Sequence, residues 1–91
     1  MDAELTSFTN LPVYTNKGIY VGVVENVRIN LAERRTSSLL LKRTNTKIVE
    51  GGHRVAVPYR WVASAGDIII LNNFPDKVVA QVAEEEIELT A

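Results

Sequence analysis

Apolar and polar residues alternate between positions 20 and 31. Val21, Val23, Val27, Ile29 and Leu31 share one parity, and Gly22, Asn26, Arg28 and Asn30 share the other. Period-two alternation rich in β-branched residues predicts a long strand with one buried face. Glu25 falls on the apolar parity, so the strand either carries a bulge between 22 and 25 or holds Glu25 at a solvated rim. Leu11-Pro12-Val13-Tyr14 predicts a short strand before it, with Pro12 at its start or on an edge. Thr15-Asn16-Lys17-Gly18 supplies the turn between them, since Asn16 and Gly18 both tolerate positive φ.

Further along, the chain turns over residues 32–35 into a third strand at 36–42, and residues 44–53 read as an exposed loop around Gly51-Gly52. A fourth strand covers 54–57 and is stopped by Pro58, after which residues 59–62 form a short helical turn that lays Trp61 over one end of the core. Ala65-Gly66-Asp67 turns into a last strand at 68–71. Short strands separated by turn signals predict an all-β fold, a small antiparallel barrel. Its core is expected to hold Val23, Val27, Ile29, Leu39, Leu41, Val55 and Val57, with Trp61 largely covered. Residues 78–82 read as a strand or a helical turn, and 83–91 as an acidic tail. The whole chain is expected to be one domain, with the barrel over about 9–74 and a carboxy-terminal segment over 75–91.

Bulk properties narrow the function. With 91 residues, 46 % hydrophobic and 23 % charged, the chain has room for one modest core, which oligomerisation would naturally supplement. The absence of cysteine excludes disulfides and thiolate metal sites. The amino terminus starts acidic, without the basic and apolar regions of a secretory signal, and the longest apolar run, Ile68-Ile69-Ile70-Leu71, falls far short of the ~20 residues that cross a bilayer. A net charge of −1 argues against nucleic acid, whose binders carry a basic surplus.

Several segments together resemble the PRC-barrel family, found in the photosynthetic reaction-centre H subunit and in a ribosome-maturation factor. They are Leu11-Pro12-Val13-Tyr14, the hairpin from Gly18 through Gly22 to Val27, the apolar Leu39-Leu40-Leu41, then Val57-Pro58-Tyr59-Arg60-Trp61-Val62 and Ala65-Gly66-Asp67-Ile68-Ile69-Ile70-Leu71. The last two are similar to those of short stand-alone archaeal PRC-barrel proteins of FtsZ-based cell division, the CdpB type. That resemblance implies a cytoplasmic, non-enzymatic scaffold. It would pair with itself or a paralogue and engage SepF, the membrane anchor of the FtsZ ring, so that it reaches the membrane only through a partner. It also marks Gly18, Gly22, Pro58, Tyr59, Trp61, Gly66 and Asp67 as structural motif residues. The ribosome-maturation relatives carry an additional amino-terminal domain, which this reading of the chain lacks.

Catalytic chemistry has little to stand on. His53 is the single histidine, with no second ligand at metal spacing, so no catalytic, cofactor or metal site is expected. Ser37, Ser38 and Ser64 lack the context of an activated nucleophile, and Gly51-Gly52 is not followed by a Lys-Ser or Lys-Thr helix opening. Arg34-Arg35 and Lys42-Arg43 invite an RNA-binding reading, but they lie at opposite ends of the third strand and read as solvated strand ends. Tyr14, Tyr20, Tyr59 and Trp61 are expected to cap the core rather than to stack bases. Ile68, Ile69, Ile70 and Leu71 form the candidate protein interface. A strand has two faces, so four consecutive apolar residues leave two pointing outwards, to be covered by the carboxy-terminal segment or by another subunit.

Overall fold

The computed structural model describes residues 8–28, 37–78 and 86–89. The apolar runs become strands β1 (Pro12–Thr15), β2 (Tyr20–Arg28), β3 (Ser38–Lys42), β4 (Arg54–Pro58), β5 (Val62–Ala65), β6 (Ile69–Leu71) and β7 (Glu86–Glu88). They join in one sheet in the order β5-β6-β1-β2-β3-β4-β7. Sequential neighbours pair antiparallel as hairpins, whereas β1 with β6 and β4 with β7 pair parallel, so the expected all-β barrel has a mixed ladder. Parallel pairing follows from the long returns of the chain to β1 and β4, which no tight hairpin can make.

The sheet has to curl. β4 and β5 lie five places apart in the strand order, roughly 24 Å in a flat sheet. Yet only the 3-10 turn Tyr59–Trp61 joins them, and four Cα steps reach at most roughly 14 Å. The sheet therefore bends until β5 and β4 approach each other at Trp61, which is buried there. The Tyr59 N–H donates to the Ser37 carbonyl at 2.9 Å, and the Asn72 N–H to the Trp61 carbonyl at 2.8 Å, so both flanks of the turn are tied down. Among the described residues no ladder joins β5 to β7, and the barrel stays open there. Val62 opens β5 instead of closing the helical turn, a strand that its small, uncharged neighbours Ala63-Ser64-Ala65 do not announce.

Inside the curl lie Val13, Val21, Val24, Leu39, Leu41, Val55, Val57, Ile69, Leu71 and Trp61. Leu39, Leu41, Val55, Val57 and Trp61 are buried as expected. Val23 is not: it is half-buried, and Val21 and Val24 fill the interior in its neighbourhood. Two irregularities in β2 account for this. Val13 faces Gly22 while Tyr14 faces Tyr20, which leaves Val21 as an extra residue against β1, and Val24 faces Leu41 while Asn26 faces Leu40, which leaves Glu25 as an extra residue against β3. Each extra residue flips the parity that follows it. Val27 is half-buried against the core, and Ile29 lies outside the described residues, as do the strand's expected last residues, 29–31.

Two other expectations change. The loop at 44–53 is anchored rather than exposed: Val49 and Thr44 are buried. Asn45 makes the anchor, since its N–H donates to the Val21 carbonyl, its Nδ2 to the Tyr20 carbonyl, and its Oδ1 accepts from the Lys47 N–H. The Thr44 hydroxyl donates to the His53 carbonyl at 2.7 Å, which satisfies a buried polar group. The acidic stretch 83–91 is not simply a tail, because Glu86–Glu88 adds β7 beside β4. A parallel bridge joins Val78 to Val49, while residues 79–82 lie outside the described residues.

Candidate protein interface

β6 lies between β1 and β5, and its four-residue apolar run divides cleanly. Ile69 and Leu71 are fully buried, Ile68 is 40 % exposed and Ile70 is half-buried. The pleat explains the division, since Ile69 and Leu71 share the face that meets Val13, and Ile68 and Ile70 share the other. Register then extends the outward face. Ile70 lies beside Tyr14 on one side and Ser64 on the other, and Tyr14 faces Tyr20. Ser64, Ile70, Tyr14 and Tyr20 thus form one row across the outside of four strands.

The row is stiffened at its aromatic end. The Tyr14 and Tyr20 rings meet edge to face with centroids 5.8 Å apart, and the Tyr20 hydroxyl donates to the Arg43 carbonyl at 3.1 Å. Arg43 itself holds φ at 51°, a conformation that costs a non-glycine residue about 1–3 kcal/mol unless its surroundings impose it. Tyr14 and Tyr20 therefore sit outside the barrel and do not cap its core. The signal lay in the sequence: once Val13 is placed inside, Pro12 and Tyr14 must point outwards.

The motif residues take different parts. Gly18 holds φ at 81° in the β1–β2 turn, as glycine does best. Gly22 is needed for space, because a Cβ there would lie 3.0 Å from the Lys42 carbonyl oxygen and 3.4 Å from the Leu41 Cβ. Pro58 ends β4 in a buried position, and Tyr59 is exposed but stacks on Phe8 at 6.0 Å. Trp61 packs edge to face on Phe74, and its buried Nε1–H meets no acceptor among the described residues. Gly66 and Asp67 form the exposed β5–β6 turn, where the Gly66 N–H donates to the Ile68 carbonyl at 3.0 Å.

Among the described residues, His53 stands apart from any metal-binding group. It is half-buried, its carbonyl is engaged by Thr44, and the described residues contain no group of three His, Cys, Asp or Glu side chains able to hold a metal. A cavity of about 60 Å³ lies among Ile19, Ile48, Phe74 and Pro75, well below the several hundred Å³ of a typical ligand pocket. Lys42 is half-buried and Arg43 exposed, while Arg34 and Arg35 lie outside the described residues.

Glu25, displaced by its bulge, reaches over β3 to Arg54, whose guanidinium nitrogen lies 3.0 and 3.1 Å from the two carboxylate oxygens. Both side chains stay more than a third exposed, 39 % for Arg54 and 34 % for Glu25. Solvent screens such a pair, so Glu25→Gln is expected to cost less than about 1 kcal/mol in a urea titration. A larger loss would mean that the pair holds the bulge in place.

Two comparisons bear on these features. A family model for the PRC-barrel domain matches residues 2–78. No curated protein matches the chain.

Proposed function

The chain belongs to the PRC-barrel domain family, in general a family of non-catalytic modules, and on that premise we propose that it is an adaptor of FtsZ-based archaeal cell division. It binds the membrane anchor SepF and associates with itself or with a paralogue. In this reading it is cytoplasmic, needs no cofactor and meets the division site at the membrane only through its partner. The observation that carries the binding role is the outward row of Tyr20, Tyr14 and Ile70 with Ile68 beside it. A branched aliphatic side chain fully withdrawn from water is worth roughly 1.5–3 kcal/mol, so a partner that covers this face gains a part of that from each of Ile68 and Ile70, and more from the two tyrosines. The cell-division role is supported by the resemblance of segments 57–62 and 65–71 to the short archaeal proteins named above.

The test is an affinity pull-down of the tagged chain from its native cell extract, followed by titration of purified SepF. Division-ring proteins among the prey and saturable SepF binding are the expected result. Ribosomal proteins in their place would instead support a ribosome-maturation or RNA-binding barrel. Direct RNA binding is expected to be weak and to fade as salt rises, because only phosphate contacts to a few lysines and arginines would drive it. Tight binding to a ribosomal RNA fragment that survives high salt in a filter assay would reverse the ranking.

A further inference from the structure

We propose that β5 is a homotypic docking edge, through which two copies join their sheets by antiparallel pairing of β5 with β5, each copy's Arg60 beside the other's Asp67. This rests on the reading that the protein self-associates, and it names the surface and its geometry.

β5 closes one end of the strand order, and three of its four residues, Ala63, Ser64 and Ala65, are exposed. Natural sheet edges are usually blunted by charge, proline or a covering segment, because bare backbone groups recruit another strand. β5 has no charge and no proline, and its one irregularity is Ala63, an extra residue against β6 between Val62 and Ser64. Backbone direction also fits. Ser64 faces Ile70, and the ladder continues through the Gly66 N–H to the Ile68 carbonyl, so Ser64 and Gly66 turn their groups toward β6. Alternation then turns those of Ala65 away from it.

A second copy, rather than an unrelated peptide, follows from the charges that flank the strand. Arg60 precedes β5 and Asp67 follows it, both are exposed, and neither has an ion-pair partner among the described residues. Antiparallel self-pairing sets unlike charges together at both ends, whereas parallel pairing would set like charges together. A two-fold contact needs one residue to oppose itself. With Ser64 opposite Ser64, the regular stretch Ser64-Ala65 of each copy comes against the other's Ser64 and its bulged Ala63, and side chains this small let the backbones approach. The row of Tyr20, Tyr14, Ile70 and Ser64 then runs on across the axis into its own mirror sequence.

The test measures the dimer dissociation constant by analytical ultracentrifugation, with melting curves confirming that each variant is folded. Arg60→Asp alone and Asp67→Arg alone set like charges at both ends, and each is expected to raise Kd about tenfold or more. An equimolar mixture of the two variants restores complementarity and is expected to dimerise as tightly as wild type. Ala65→Pro removes the outward N–H while sparing the ladder to β6, and is expected to abolish the dimer. Wild-type Kd in all these variants would overturn the edge contact; if Ile70→Glu then still weakens the dimer, self-association through the outer face survives. A wild-type chain that stays monomeric at high concentration would overturn both.

Discussion

Ile69→Glu is expected to leave no folded protein, while Ile70→Glu, one residue on, folds normally and self-associates less. Ile69 is fully buried on the sheet's inner face, paired with Val13 on β1 and Ala65 on β5. A glutamate there loses roughly 1.5–3 kcal/mol of aliphatic burial. It also has to bury a carboxylate without a partner or take up a proton, a further cost of several kcal/mol. A domain of this size is stabilised by only about 5–15 kcal/mol in total, so the two terms together consume most or all of it. Ile70 points the other way and is half-buried beside Tyr14 and Ser64. Its glutamate keeps its head in water, and what it disturbs is the surface a partner would cover. Circular dichroism reads the first effect and light scattering the second. Equal melting curves for both variants would show that β6 does not present its faces as described.

Much of this is legible in the sequence, and the limits have physical causes. Strands β1, β3 and β4 follow from short apolar runs bounded by turn residues, and the inside-outside split of Ile68, Ile69, Ile70 and Leu71 follows from the pleat. Which pair faces inwards does not, because both pairs are equally apolar; the parallel ladder that sets Val13 beside Ile69 decides it. β2 exposes the weakness of parity arguments. Glu25 on the apolar parity signalled a bulge, yet the second irregularity, at Val21, has no polar residue to mark it. One unmarked extra residue was enough to move Val23 out of the core. β5 was missed for a different reason: Ala63-Ser64-Ala65 has neither alternation nor β-branched residues, and its strand conformation is imposed by β6. β7 was hidden by its glutamates, since pairing through backbone groups leaves no apolar signature. The outward row could not be read at all without register, which alone brings Tyr14 of β1 and Ile70 of β6 together.

Truncation of Leu41 to alanine is expected to cost about 2–5 kcal/mol, the range for a leucine removed from a close-packed interior. Leu41 sits at the middle of the sheet, facing Val24 on β2 and Val55 on β4, and no part of it reaches solvent. Collapse of the surrounding structure into the vacated space is restrained on both sides by paired strands, which places the expected cost in the upper half of that range. The Cβ that remains still lies against Gly22, whose lack of a side chain lets β2 and β3 approach here, so the backbone need not move. For a domain of 60–100 residues each kcal/mol shifts the melting temperature by roughly 4–8 °C, and a loss of at least roughly 10 °C is expected. The same experiment on Val23 and Val24 tests the bulges directly. Val24→Ala removes a fully buried side chain and is expected to destabilise clearly more than Val23→Ala, although strict alternation along β2 demands the reverse order. If thermal melts rank Val23 above Val24, the register of β2 against β3 is shifted by one residue and Glu25 is not the extra residue.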